Sequence, residues 1–161
     1  MIASSHASSV GQSSGQSILE VLFATTVVAL VLVAILSTII ASLRNSRTSM
    51  EQYQATGYAN EVLEWMRHER DSQGWVEFSL HLPSAGSTSY YCFDTLPTSI
   101  ATIDDYRGEC SGTKIPDTAF IRNVVLYRTS AEEVEATVTV SRPSRSGTTE
   151  VPLTGRFTQW Q

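Results

Sequence analysis

Between Val21 and Leu43 the sequence has no charged residue, no proline and no glycine. That absence rules out a turn or a solvated helix face there and leaves one unbroken apolar run of Val, Leu, Ile, Ala, Phe and a few Ser/Thr. Cysteine is nearly missing too. The only two, Cys92 and Cys110, have no CxxC or Cys/His spacing, which argues against a zinc site or dithiol redox chemistry. Positive charge is in deficit, with 11 Lys and Arg against 16 Asp and Glu and a net charge of −5. No global basic field therefore points to nucleic acid or anionic lipid. Arg142 and Arg145, at a turn, are too few to argue for one.

Catalytic groupings are also lacking. His6, His68 and His81 stand without a nucleophile or metal partner at a recognisable spacing. Asp104, Asp105 and Glu109 lack the ordered run of oxygen ligands that a calcium loop requires, and read as a solvated acidic loop. The expectation is a protein that is not an enzyme and needs no cofactor or metal.

What is present is a membrane-length helix. About 20 apolar residues cross the hydrocarbon core of a bilayer, and this run is slightly longer. Just inside its boundary stands one carboxylate, Glu20. A charge at the bilayer centre costs about 2.5–3.5 kcal/mol on insertion scales, so such a residue is a functional candidate that needs a partner. Before it lies a Ser-rich segment, Met1 to Gly15. An ordinary secretory signal carries its apolar core ahead of the cleavage site, whereas here the core follows.

Gly15-Gln16-Ser17-Ile18-Leu19-Glu20 and the apolar run together resemble the type IV pilin and pseudopilin family. Its pattern is a short polar leader ending in Gly, a cut after that Gly, a Glu at the fifth mature position and a long apolar helix. A cut after Gly15 makes Gln16 the first mature residue and Glu20 the fifth; a cut after Gly11 would put Gln16 fifth instead. The resemblance implies cleavage between Gly15 and Gln16 by a prepilin peptidase, N-methylation of Gln16, and assembly through Glu20 paired with the α-amine of Gln16 in an adjoining subunit. It implies a membrane assembly platform, an assembly ATPase and a homo- or hetero-polymer of pilins as partners. The chain would sit in the cytoplasmic membrane as a single pass with its head outside, then enter an extracellular filament. Two features depart from the pattern. The leader has only His6 where relatives carry Lys or Arg, and position 16 is Gln rather than Phe. Arg44 and Arg47 follow the span, so the positive-inside rule alone would place the C-terminus in the cytoplasm; the motif argues the other way. With the head outside, one disulfide between Cys92 and Cys110 is expected, closing a loop worth roughly 3 kcal/mol. Two buried free thiols are the alternative.

Four segments follow: a leader over 1–15, a transmembrane or filament-core helix over 16–43, an amphipathic helix over 44–73, and an antiparallel β head over 74–161. In the amphipathic segment Ala55, Ala59, Val62 and Met66 form one stripe, flanked by Tyr58, Trp65 and Leu63. Asn60, Glu61, Glu64, Arg67 and His68 fall opposite, with Glu64 and His68 four apart. Met50, Tyr53 and Gly57 face away from the stripe. Gly74 reads as the helix stop, giving a helix of roughly 85 Å at ~1.5 Å per residue. With no Pro or Gly between Val21 and Leu43 a continuous core helix is expected, and Thr25, Thr26, Ser37 and Thr38 are the positions that could support local irregularity.

Beyond Gly74 the period changes to two. Val76, Phe78, Leu80 and Leu82 alternate up to Pro83 and predict a strand. Thr88–Phe93 predicts another, and Asp94–Lys114 an irregular loop. Phe120–Thr129 is strand-like, though Arg122 and Arg128 share parity with Phe120, Val124 and Leu126. Val134, Ala136, Val138 and Val140 alternate cleanly. Pro143 and Gly147 mark a turn, after which Val151, Leu153 and Phe157 share one face and Trp160 closes the chain. The fold class is α+β, a long N-terminal helix packed through its apolar stripe on a small antiparallel sheet. The function expected is a structural filament subunit. A monomeric signal-anchored envelope protein with a binding head is the alternative.

Overall fold

The computed structural model describes residues 14–144 and 147–159, with side chains from Ile18 onward. The leader up to residue 13 with His6, the Gln16 side chain, Arg145 and Trp160 lie outside the described residues. The chain divides between Arg47 and Thr48 into two compact units. Helix α1, Ser14–Leu80, contributes to both.

In the first unit α1 is uninterrupted, as a run without Pro or Gly requires. The segment is long and apolar enough to cross a membrane. Its hydroxyls do not disturb it. Thr25 donates to Leu22 O at 3.0 Å, Ser37 to Ala34 O at 2.8 Å and Thr38 to Ile35 O at 2.7 Å, while Thr26 also bonds Leu22 O. Each of these four hydroxyls is satisfied inside the helix, as lipid demands.

The second unit is the α+β head. Four strands, β1 (Thr88–Cys92), β2 (Ile121–Ser130), β3 (Glu133–Ser144) and β4 (Gly147–Thr158), form an antiparallel meander in the order β1-β2-β3-β4. Val124 pairs with Val138 and Val138 with Leu153, so alternate residues of adjacent strands share a face. The inner face carries Val134, Ala136, Val138 and Val140, all at 0 % exposure, together with Leu126, Val124 and Phe157. Ala55, Ala59, Val62, Leu63 and Met66 of α1 join them in one core. At Gly155 on β4 a Cβ would stand 2.9 Å from Leu63 Cδ2. The missing side chain is what admits Leu63 to the sheet.

One predicted element is different. The segment from Trp75 to Leu80 is helical, not a strand. Gly74 stops the regular helix as expected, with φ 78° and ψ 161°, a conformation open to glycine. The chain then resumes helical dihedrals. In this geometry Phe78 and Leu82, four apart, reach the core, whereas Val76 and Leu80 are 72 % and 69 % exposed. Four apolar residues at alternate positions satisfy a strand pattern and also supply an i, i+4 pair. Tertiary contacts decide between them: the Trp75 indole N–H donates to Ala131 O at 3.1 Å, and Phe78 meets both Trp75 and Phe157. A second difference is a 3-10 helix, Ile100–Tyr106, within the expected irregular loop.

Candidate functional site

Gly15, Gln16 and Glu20 all lie in the first turns of α1. Glu20 is exposed and stands among Leu19, Val21 and Phe23, which are 58–68 % exposed. It makes no hydrogen bond or ion pair among the described residues. The next basic residue along the chain is Arg44, about 24 residues on and so roughly 36 Å away at ~1.5 Å per residue. Its own helix cannot neutralise this carboxylate. Every large apolar side chain from Ile18 to Leu43 is 49–68 % exposed. Burying such a surface is worth about 25 cal/mol per Å2, so lipid or other protein has to cover it.

In the head, Cys92 at the end of β1 and Cys110 form a disulfide with their Cα atoms 5.0 Å apart. The loop it closes is held along its length. Ile100 and Ile103 are buried in the core. Glu69 of α1, also buried, accepts from the Ile100 N–H at 2.7 Å and from the Gln73 amide at 2.7 Å, with Ser99 Oγ at 3.4 Å. A carboxylate at the start of a short helix satisfies amides that would otherwise be orphaned. Asn123 Oδ1 accepts from the Cys110 N–H at 3.0 Å. Asp104 is committed to Arg107 at 2.7 Å, and no group of three potential metal ligands occurs among the described residues.

Two arginines on the inner face of β2 explain its mixed pattern. Arg122 is 2 % exposed and donates to Phe93 O at 3.1 Å, Tyr58 O at 3.1 Å and Glu61 Oε2 at 3.0 Å. Burial pulls its guanidinium below the usual range, and Glu61 pulls it back. Arg128 donates to Ser79 O at 3.1 Å and Pro83 O at 3.4 Å, closing the end of the short helical segment. Tyr91 is fully buried, and its hydroxyl lies near Ser89 and Arg107 without a hydrogen bond to either. Desolvation raises its pKa above the ordinary 10.0.

The remaining candidates separate. Glu64 pairs with Arg67 rather than His68, and His81 lies 3.8 Å from Glu77. Arg142 is engaged by Glu51 and by the Phe120 ring 5.9 Å away. Met50 and Tyr53 are 59 % and 77 % exposed, and a Cβ on Gly57 would meet nothing within 4 Å. Sequence reasoning missed Glu69 and Arg122. The signal for Arg122 was its parity with Val124; for Glu69 it was its place three residues beyond Met66 on the apolar stripe. Comparison with protein-family models, with curated proteins and with solved structures finds no match.

Proposed function

We propose that this chain is a structural subunit of a type IV pilus or related filament, cleaved after Gly15, held in the membrane by its apolar helix and then assembled through that helix. The observation that carries the reading is Glu20, a single carboxylate with no partner on its own helix, in register with Gly15 and set in an exposed apolar surface. A cleaved chain begins at Gln16 with a free amine. In a helix bundle that amine is the natural counter-ion for Glu20 of a neighbour. Low dielectric strengthens their attraction, and removing one partner strands a charge at about 3–5 kcal/mol. The pairing also fixes axial register between helices that otherwise slide. The disulfide supports a head outside the cytoplasm.

N-terminal sequencing of material sheared from cells tests the proposal. A start at Gln16 is expected. A start at Met1 with the head outside leaves a signal-anchored envelope monomer as the reading, and a head found in the cytosol overturns both. Glu20→Ala is expected to insert into the membrane as wild type does and to assemble poorly or not at all; normal filaments from that variant refute the role given to Glu20.

A further inference from the structure

Ile40, Leu43, Arg44 and Arg47 line a groove of about 200 Å3 at the end of the apolar run. Their spacing, i, i+3, i+4 and i+7, is that of a single helix face, so two apolar side chains and two guanidiniums are stacked along one side of α1. We infer that this groove is a phospholipid site: an acyl chain lies on Ile40 and Leu43, and the phosphodiester of its headgroup is gripped by Arg44 and Arg47. The inference rests on the membrane-anchor reading above.

Length sets the level. From Glu20 to Arg47 is about 27 residues, or roughly 40 Å of helix, close to the ~40–45 Å of a bilayer with its headgroups. When Glu20 reaches water at one face, Arg44 and Arg47 lie at phosphate depth on the other. Chemistry sets the partner. A guanidinium fork matches phosphate oxygens bidentately and stays charged at any physiological pH. These arginines run against the positive-inside preference if the head is translocated, and lipid phosphate supplies the compensating charge. The grip fixes the depth of the helix, and extraction into a filament has to release it.

The test uses the full chain with 13C-labelled arginine in bilayers of phosphatidylcholine and phosphatidylglycerol, and in phosphate-free galactolipid bilayers. Protease protection of the helix establishes insertion in both. Dephasing of arginine Cζ by 31P is expected in the phospholipid bilayer, absent in galactolipid, and lost in the Arg44→Gln/Arg47→Gln variant. Relative association with spin-labelled phosphatidylglycerol is expected to fall about fivefold per arginine removed. An inserted wild-type chain with no dephasing overturns the lipid site alone. A chain that does not insert in either bilayer overturns the anchor reading together with it. Equal dephasing in galactolipid supplied with inorganic phosphate means a general oxyanion site and overturns the assignment to lipid.

Discussion

Replacing Glu69 by alanine would remove a buried carboxylate that ties the helix of the head to the disulfide-closed loop. Its carboxylate accepts from the Ile100 N–H and the Gln73 amide, both at 2.7 Å, with Ser99 Oγ more distant. Hydrogen bonds to a charged group are worth about 1.5–3 kcal/mol each, and an orphaned buried N–H costs about 1–3 kcal/mol. Against this, removing a buried carboxylate relieves its own desolvation. The balance predicts a loss of about 2–3 kcal/mol for Glu69→Ala. For Glu69→Gln it predicts about 1 kcal/mol, since the amide oxygen can still accept from Ile100. For a head of this size the alanine change lowers the Tm by about 10 °C. The measurement is near-UV circular dichroism of the full chain in detergent, paired with hydrogen exchange at the Ile100 amide. Protection there should drop most in the alanine variant. Two variants with equal loss below about 0.5 kcal/mol, and an Ile100 amide as protected as in wild type, would show that the loop does not hang on this carboxylate.

Other outcomes follow from the same geometry. Cys92→Ser/Cys110→Ser should cost roughly 3 kcal/mol in urea titrations, the chain-entropy value for a loop of this length. Combined with Glu69→Ala the loss should depart from additivity, because both restrain one segment. Phe78→Ala should cost about 3–5 kcal/mol and Leu80→Ala under about 0.5 kcal/mol; similar losses at both positions would restore the strand. Burial raises the Tyr91 pKa in the folded state, so its contribution to stability is fully present below pH 10 and disappears as pH rises through the folded value. Wild type should therefore lose stability above pH 10 more steeply than Tyr91→Phe, while the two curves run parallel near pH 8. Curves that stay parallel above pH 10 would contradict that burial.

How far the fold was legible depended on whether one period fitted a segment. Val134, Ala136, Val138 and Val140 admit only a strand, and all four are wholly buried. Ala55, Ala59, Val62 and Met66 admit only a helix stripe, and they line the core. Residues 76–82 fit both patterns, so local sequence could not choose. The choice came from Trp75, Phe78 and Arg128 meeting partners more than forty residues away. Charged residues were harder still. Glu61 falls opposite the apolar stripe and is half exposed, while Glu69 falls on it and is buried on a backbone amide. The helix period tells the two faces apart, but which amide Glu69 meets depends on the position of the loop, which the helix sequence does not encode.

The arginines of β2 carry the same lesson to the architecture of the head. A strand whose inner face reads Phe120, Arg122, Val124, Leu126 and Arg128 looks like a failed alternation. In place, the apolar residues occupy the middle of the core and the two guanidiniums stand at its ends, where each donates to backbone carbonyls. Arg122 serves the carbonyls of Phe93 and Tyr58, and Arg128 those of Ser79 and Pro83. One strand thus fastens both the middle of α1 and its final turn, without needing a longer sheet. The pair differ in what they risk. Arg128 is partly solvated and can exchange protein for water, but Arg122 is sealed and depends on Glu61 for its counter-charge. Glu61→Gln should therefore destabilise the head by about 1–2 kcal/mol, discounted for the exposure of Glu61. Arg122→Met/Glu61→Gln should recover part of that loss in the same melts. If the double variant loses as much as the two single variants together, the pair has no coupling energy, Arg122 is held by its carbonyls alone and the ion pair is incidental.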